Sequence, residues 1–177
     1  MPILDVRIST LLVIDMQARL MPAIDESAVA IANARRLVEA AALLGVPALF
    51  TEQNPKGLGA TVPELAADEA RTFAKMTFDA GRAPGFYGRL AEGHAVVMAG
   101  VEAHVCVLQT ALGLIDIGRR VFVVCDGVGS RRPESKDAAL RRMERNGVEI
   151  VTTEMVVFEW LGSAENPRFR EAVALIK

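Results

Sequence analysis

Three residues of this chain have the types and positions to do chemistry together. Asp15 closes an apolar run, Thr10–Ile14 (TLLVI). Cys106 follows a second run, Ala95–Ala99, at the opening turn of a predicted helix, and Lys75 sits in the apolar and aromatic context RTFAKMTFDAG. A thiol, a carboxylate and an ammonium make a nucleophile with its own acid–base partner. The thiol attacks a carbonyl, the carboxylate takes its proton and later passes it to a leaving amine, and the ammonium stabilises the charged forms. Backbone amides around Cys106 face a developing oxyanion. A helix N-terminus and a nearby ammonium both lower a thiol pKa, and an ionised Asp15 opposes them. Such parts describe amide hydrolysis through a thioester.

Taken singly, each residue also has a plainer role. Asp15 can cap a turn after a strand, Cys106 can pack as a small apolar core residue, and Lys75 can be a solvated charge. Cys125, in VFVVCDG, reads as core, and Asp126, beside Gly127, as an organiser of the following loop. His94 fits a surface loop and His104 an early helix position near the cleft mouth. Phe78, Phe86, Tyr87 and Trp160 either line a substrate pocket or a subunit contact, or are ordinary core.

The elements that must position these residues follow from hydrophobic patterning. Thr10–Ile14 reads as a central parallel strand buried on both faces. Ile31, Ala34, Leu37, Val38, Ala41 and Leu44 recur at helical spacing, Gly45 stops that helix, and Val46–Phe50 is the next strand. The alternation resumes with strand Ala95–Ala99, helix His104–Ile117, strand Val121–Val124, helix Glu134–Asn146 and strand Val148–Val151. Repeated strand and helix alternation predicts a three-layer α/β/α domain around a parallel sheet. In such sheets ligands bind beyond the carboxyl ends of the strands, where the strand order reverses. Asp15 and Cys106 share that crevice if their strands are neighbours. The segment Ala60–Leu90, with Pro63, Gly81, Pro84, Gly85 and Gly88, is the least regular.

Composition sets the outer bounds. The 177 residues fit one domain, residues 1–177. Hydrophobic residues make up 51%, charged residues 24%, and the net charge is -2, which argues against disorder and against a basic nucleic-acid platform. Charges interrupt every apolar stretch before it could cross a bilayer, and the first residues lack a secretory layout, so a soluble cytoplasmic protein is expected. Two cysteines and two histidines leave almost no ligands for a structural zinc, and free thiols are expected. No GxGxxG follows the first strand, which argues against a dinucleotide-binding dehydrogenase. A redox protein using Cys106 and Cys125 lacks a resolving cysteine nearby in sequence.

The segments LLVIDMQ, FTEQNPKGLGATVPEL, FAKMTFDAG, MAGVEAHVCVLQTALGLIDIGRRVFVVCDGVGSR and ALRRM together resemble the isochorismatase-like cysteine hydrolases, in order from about Thr10 to Val157. The likeness is greatest to the metal-free branch of isochorismatase domain-containing proteins, through the TEQ-x-PKGLG loop. The resemblance implies a doubly wound six-stranded parallel sheet of order 3-2-1-4-5-6, with the first and fourth strands side by side. It further implies Asp15 as acid/base, Lys75 as the family lysine, Cys106 as nucleophile, and a cis peptide between Val101 and Glu102 that aims the Glu102 and Cys106 amides at the oxyanion. Homo-oligomerisation is implied as well.

Two departures narrow the expected activity. The Asp-x-His metal site of nicotinamidases has no counterpart after Phe50, so no metal or other cofactor is carried over. Members that cleave isochorismate lack the cysteine, whereas this chain has Cys106. A cysteine-dependent hydrolase of a small amide or related acyl compound is therefore expected. The rival is a non-catalytic small-ligand binding or scaffold protein on the same fold.

Overall fold

The apolar runs that end in candidate residues are strands of a single sheet. In the computed structural model, which describes residues 3–177, β1 is Ser9–Ile14, β2 Ala48–Gln53, β3 Thr72–Lys75, β4 Ala95–Val101, β5 Val121–Gly129 and β6 Glu149–Val151. All neighbours are parallel, in the order β3-β2-β1-β4-β5-β6. The order reverses between β1 and β4, as expected, and that switch point opens a crevice at their carboxyl ends.

Two-sided burial explains why β1 shows no polar alternation. Leu11 and Val13 enter one core while Leu12 and Ile14 enter the other. Fully burying each such side chain contributes about 1.5–3 kcal/mol, so β1 belongs at the centre. The first core lies under α1 (Ser27–Leu44), α5 (Thr153–Leu161) and α6 (Phe169–Leu175). The second lies under α3 (Leu108–Asp116) and α4 (Pro133–Arg145). A single short turn of helix, α2 (Pro55–Leu58), follows β2. Among the described residues no helix is long and apolar enough to cross a membrane.

The differences from the sequence reading have local causes. Strand β2 starts at Ala48 and runs on through Thr51, Glu52 and Gln53, which pair with β3 although they are polar. An apolar run is thus a poor guide to where a strand ends when backbone pairing continues. Strand β3 falls inside the segment read as irregular, because its residues, two half-buried, Ala74 exposed and Lys75 alone buried, show no clear pattern and sit at the sheet edge. The helix read from His104 opens instead with a π-helical turn, Ala103–Val107, before α3. Trp160 is buried in the first core and Phe86 in the second, whereas Phe78 and Tyr87 are exposed.

Strand β4 leaves no room for a side chain against β1 at Gly100, opposite Ile14. Its φ of +132° lies where L side chains rarely go, and a Cβ there would overlap the Ile14 carbonyl oxygen and lie 2.6 Å from its nitrogen. We predict that Gly100→Ala lowers the unfolding free energy by at least ~2 kcal/mol, measured by urea titration. An unchanged midpoint and slope would show that the two strands can separate without loss.

Candidate active site

Asp15 is the residue immediately beyond β1, Lys75 ends β3, and Cys106 lies in the turn after β4. Asp15 holds a left-handed backbone, φ +51°, a conformation that costs a non-glycine residue about 1 kcal/mol or more and that clusters at functional positions. Its N–H donates to the Thr51 carbonyl at 3.1 Å, its Oδ1 accepts from Thr51 Oγ1 at 2.7 Å, and its Oδ2 accepts from Lys75 Nζ at 2.7 Å. Neither side chain of the Asp15–Lys75 ion pair is exposed. The register explains how β3 reaches β1 across β2: Lys75 stands opposite Gln53, and Thr51 opposite Ile14.

The ammonium is fully used. Besides Asp15, Lys75 Nζ donates to Gln53 Oε1 at 2.9 Å and to the Thr77 carbonyl at 3.3 Å. Gln17 fastens the β2 end by accepting from the Gln53 N–H and donating to the Gln53 and Gly59 carbonyls. Thr51, Gln53 and Gln17 escaped the sequence reading. For Thr51 and Gln53 the available signal was the one that singled out Asp15, a polar residue at the carboxyl end of a strand.

Cys106 is buried, and its thiol feels the charges of both the Asp15 carboxylate and the Lys75 ammonium. The sequence reading of an acidified thiol is overturned. Burial first, then the Asp15 charge, push the Cys106 pKa up to about 12, and the opposing pull of Lys75 is too weak to reverse them. The resting thiol is therefore neutral, and its proton has an acceptor beside it.

The peptide between Val101 and Glu102 is cis. The Glu102 side chain is buried, and its carboxylate accepts from the Arg131 N–H and Nε, each at 3.0 Å to Oε2. The Glu102 carbonyl accepts from the N–H groups of Val105 and Val107, which joins the end of β4 to the turn that carries Cys106.

Other residues lie elsewhere or act differently. Cys125 is half-buried rather than core, in a recess beside Asp25, Glu26 and Lys136, with its pKa raised chiefly by burial. Asp126 does not organise the loop after it; its Oδ1 accepts from the Thr153 N–H and Oγ1 and so holds the start of α5. His94 is tied to Thr10 and Ser9, and His104 Nδ1 lies 3.0 Å from Ser130 Oγ. Among the described residues no three His, Cys, Asp or Glu side chains gather in a metal-ligating group, and Glu52, after Phe50, accepts from Thr61.

Residues 9–155 match the isochorismatase domain. The chain belongs to that family. Human isochorismatase domain-containing protein 2 is 37% identical over 172 residues, covering 96% of this chain and 83% of that protein. The Danio rerio counterpart is 35% identical over 95% of this chain and 86% of its own. Among solved structures, the MAR1 ribonuclease of Caenorhabditis elegans superposes with a TM-score of 0.92 at 36% identity, covering 98% of this chain and 91% of that one. YcaC of Escherichia coli, described as an octameric hydrolase of unknown specificity, superposes with a TM-score of 0.88 at 28% identity, covering 99% and 88%. The isochorismatase-like hydrolase fold supports a hydrolase function for this member.

The shift at Cys106 makes a directional prediction. Asp15→Asn removes the negative charge that opposes thiolate formation, so the Cys106 pKa falls below about 12. Alkylation rate against pH, resolved by peptide mass spectrometry with Cys125 as internal reference, reads it. A pKa that stays in place or rises would contradict the assigned cause.

Proposed function

We propose that this family member is a cysteine-dependent hydrolase of a small amide or related acyl compound, working through a thioester. The observation that carries this reading is a neutral, buried thiol whose acidity is governed by a carboxylate that is itself held by an ammonium. Cys106 Sγ bonds to the substrate carbonyl carbon while its proton passes to Asp15, so no free thiolate has to accumulate. The carbonyl electron pair moves to oxygen, which the backbone N–H groups of Glu102 and Cys106 receive. Collapse of this adduct breaks the C–N bond, and the amine leaves with the proton from Asp15. Water then attacks the thioester with Asp15 as base, the acid departs, and the proton returns to sulfur. Lys75 keeps the carboxylate oriented and balances its charge throughout.

A structural relative supports a nucleophile on this fold. YcaC of Pseudomonas aeruginosa, 27% identical with a TM-score of 0.91, was solved with hexane-2,5-diol and covalent acrylamide. Acrylamide is an electrophile that nucleophilic side chains add to.

The name of the C. elegans relative brings a second reading, RNA cleavage. The net charge of -2 lacks the basic excess with which proteins hold a phosphate backbone, so this reading stands behind amide hydrolysis. The octameric state described for E. coli YcaC supports homo-oligomerisation of this chain. Light scattering on the size-exclusion peak is expected to give a multiple of the chain mass, and a monomer at micromolar concentration would refute it.

The function is tested on a panel of small amides and esters, with RNA as a separate arm. Cys106→Ala should abolish turnover while leaving circular dichroism unchanged, and Asp15→Asn should reduce it about 10²–10⁴-fold. Undiminished turnover in Cys106→Ala would remove it as nucleophile. Absence of turnover across the panel would favour a binding protein, and Cys106-dependent RNA cleavage would put the second reading first.

A further inference from the structure

The turn that carries Cys106 is fastened at its start by a charge pair with no part yet in the proposed reaction. Glu102 stands between β4 and the turn Ala103–Val107, and its side chain is only 8% exposed. Its carboxylate accepts from the Arg131 main-chain N–H at 3.0 Å and from Arg131 Nε at 3.0 Å to Oε2 and 3.2 Å to Oε1. Arg131 lies just beyond β5, whose last residue, Gly129, pairs with Val101. Ser130, between them, meets His104 of the same turn, Oγ to Nδ1 at 3.0 Å, and its carbonyl accepts from the Asp25 N–H. The end of β5 thus braces the turn at two of its residues, one of them through opposite charges.

The two partners are unequally placed. The Arg131 side chain is 61% exposed, so water would solvate its charge without Glu102. Glu102, without Arg131, would keep a carboxylate out of water with no cation bound to it, which is the costly half of a broken pair. Relief comes only if the carboxylate turns toward solvent, and that pulls on the backbone of its own residue. If it stays, a negative charge remains on the residue whose N–H is to receive a negative oxygen, where scarce water screens the repulsion poorly. Both effects fall on the oxyanion. Neither falls on the thiol, whose acidity is set by burial, Asp15 and Lys75.

We infer that Arg131 is a positioning residue of the proposed reaction: by pairing with the Glu102 carboxylate it holds the Glu102 N–H where the oxyanion forms and cancels the charge that would oppose that oxyanion. The inference rests on the reading of Cys106 as nucleophile and of the Glu102 N–H as an oxyanion donor. Arg131 touches no reacting atom. Its effect passes through Glu102, and a planar guanidinium that meets both carboxylate oxygens fixes the orientation of that side chain as well as its charge.

The test compares a reaction of Cys106 that builds an oxyanion with one that builds none. The first is turnover of whichever amide of the panel the protein hydrolyses fastest. The second is alkylation by iodoacetamide, which displaces iodide at a saturated carbon, followed by peptide mass spectrometry with Cys125 as reference. Arg131→Gln should lower kcat about 10²-fold, the loss that follows a misplacement of roughly 1 Å, with KM little changed, the mark of an interaction made only in the transition state. Alkylation of Cys106 should keep its wild-type rate. Arg131→Lys should retain part of kcat. Adding Glu102→Gln to Arg131→Gln should recover most of the loss, since a neutral amide still accepts from the main-chain N–H and needs no counter-charge. Arg132→Gln removes an equal charge one residue away, from a side chain with no hydrogen bond to Glu102 among the described residues, and should leave kcat as it is. The inference is overturned by an unchanged kcat in Arg131→Gln, by a loss that alkylation shares or Arg132→Gln reproduces, or by a double variant no better than Arg131→Gln. Failure of the underlying reading shows elsewhere: turnover that survives in Cys106→Ala removes the nucleophile, absence of wild-type turnover removes the hydrolase, and either takes this inference with it.

Discussion

The carboxyl end of the sheet is organised around a carboxylate and an ammonium held together out of water. Desolvating either ion alone costs several kcal/mol even after the protein relaxes, and contact between them offsets this only if their remaining hydrogen-bonding capacity is filled. Both conditions are met. Lys75 gives its donors to Asp15, Gln53 and Thr77, and the two Asp15 oxygens are taken by Lys75 and Thr51. The contact between side chains sixty positions apart joins the ends of β1 and β3, and Thr51 and Gln53 tie in β2 between them. The thiol of Cys106 sits against a charge pair whose geometry is already set.

This arrangement also accounts for the neutral thiol. A carboxylate poised to take a proton is, by the same charge, an obstacle to the anion that would form nearby. On the proposed mechanism the site offers a local acceptor and no standing thiolate, so loss of the proton is tied to formation of the new bond to carbon. Many cysteine sites separate these events by stabilising the anion first. Here burial and the Asp15 charge point the other way.

Much of this was legible in the sequence, and for reasons that also explain what was not. Asp15 stood out as a polar residue just after an apolar strand and Lys75 as a charge in an apolar and aromatic context, and the resemblance implied their roles. The parallel α/β/α architecture followed from periodicity, and the strand order followed from the resemblance. Strand β3 was hidden because four residues, of which Lys75 alone is buried, carry too little pattern. Thr51 and Gln53 were hidden because threonine and glutamine at a strand end are ordinary until their partners are known. The acidity of Cys106 was misjudged because a helix start is a local feature that sequence displays, whereas burial and the approach of Asp15 are tertiary.

The position of Lys75 has a consequence for how the site responds to heat. Its ammonium is delivered from β3, the outermost strand and, at four residues, a short one, paired on one side alone. Edge elements open at lower free energy than the strands they flank. Once β3 peels away, Asp15 loses its counter-ion while β1, β4 and β5 are still packed between two helical layers. On the proposed function, activity is then lost at a lower temperature than the fold, because opening of the edge strand precedes melting of the sheet.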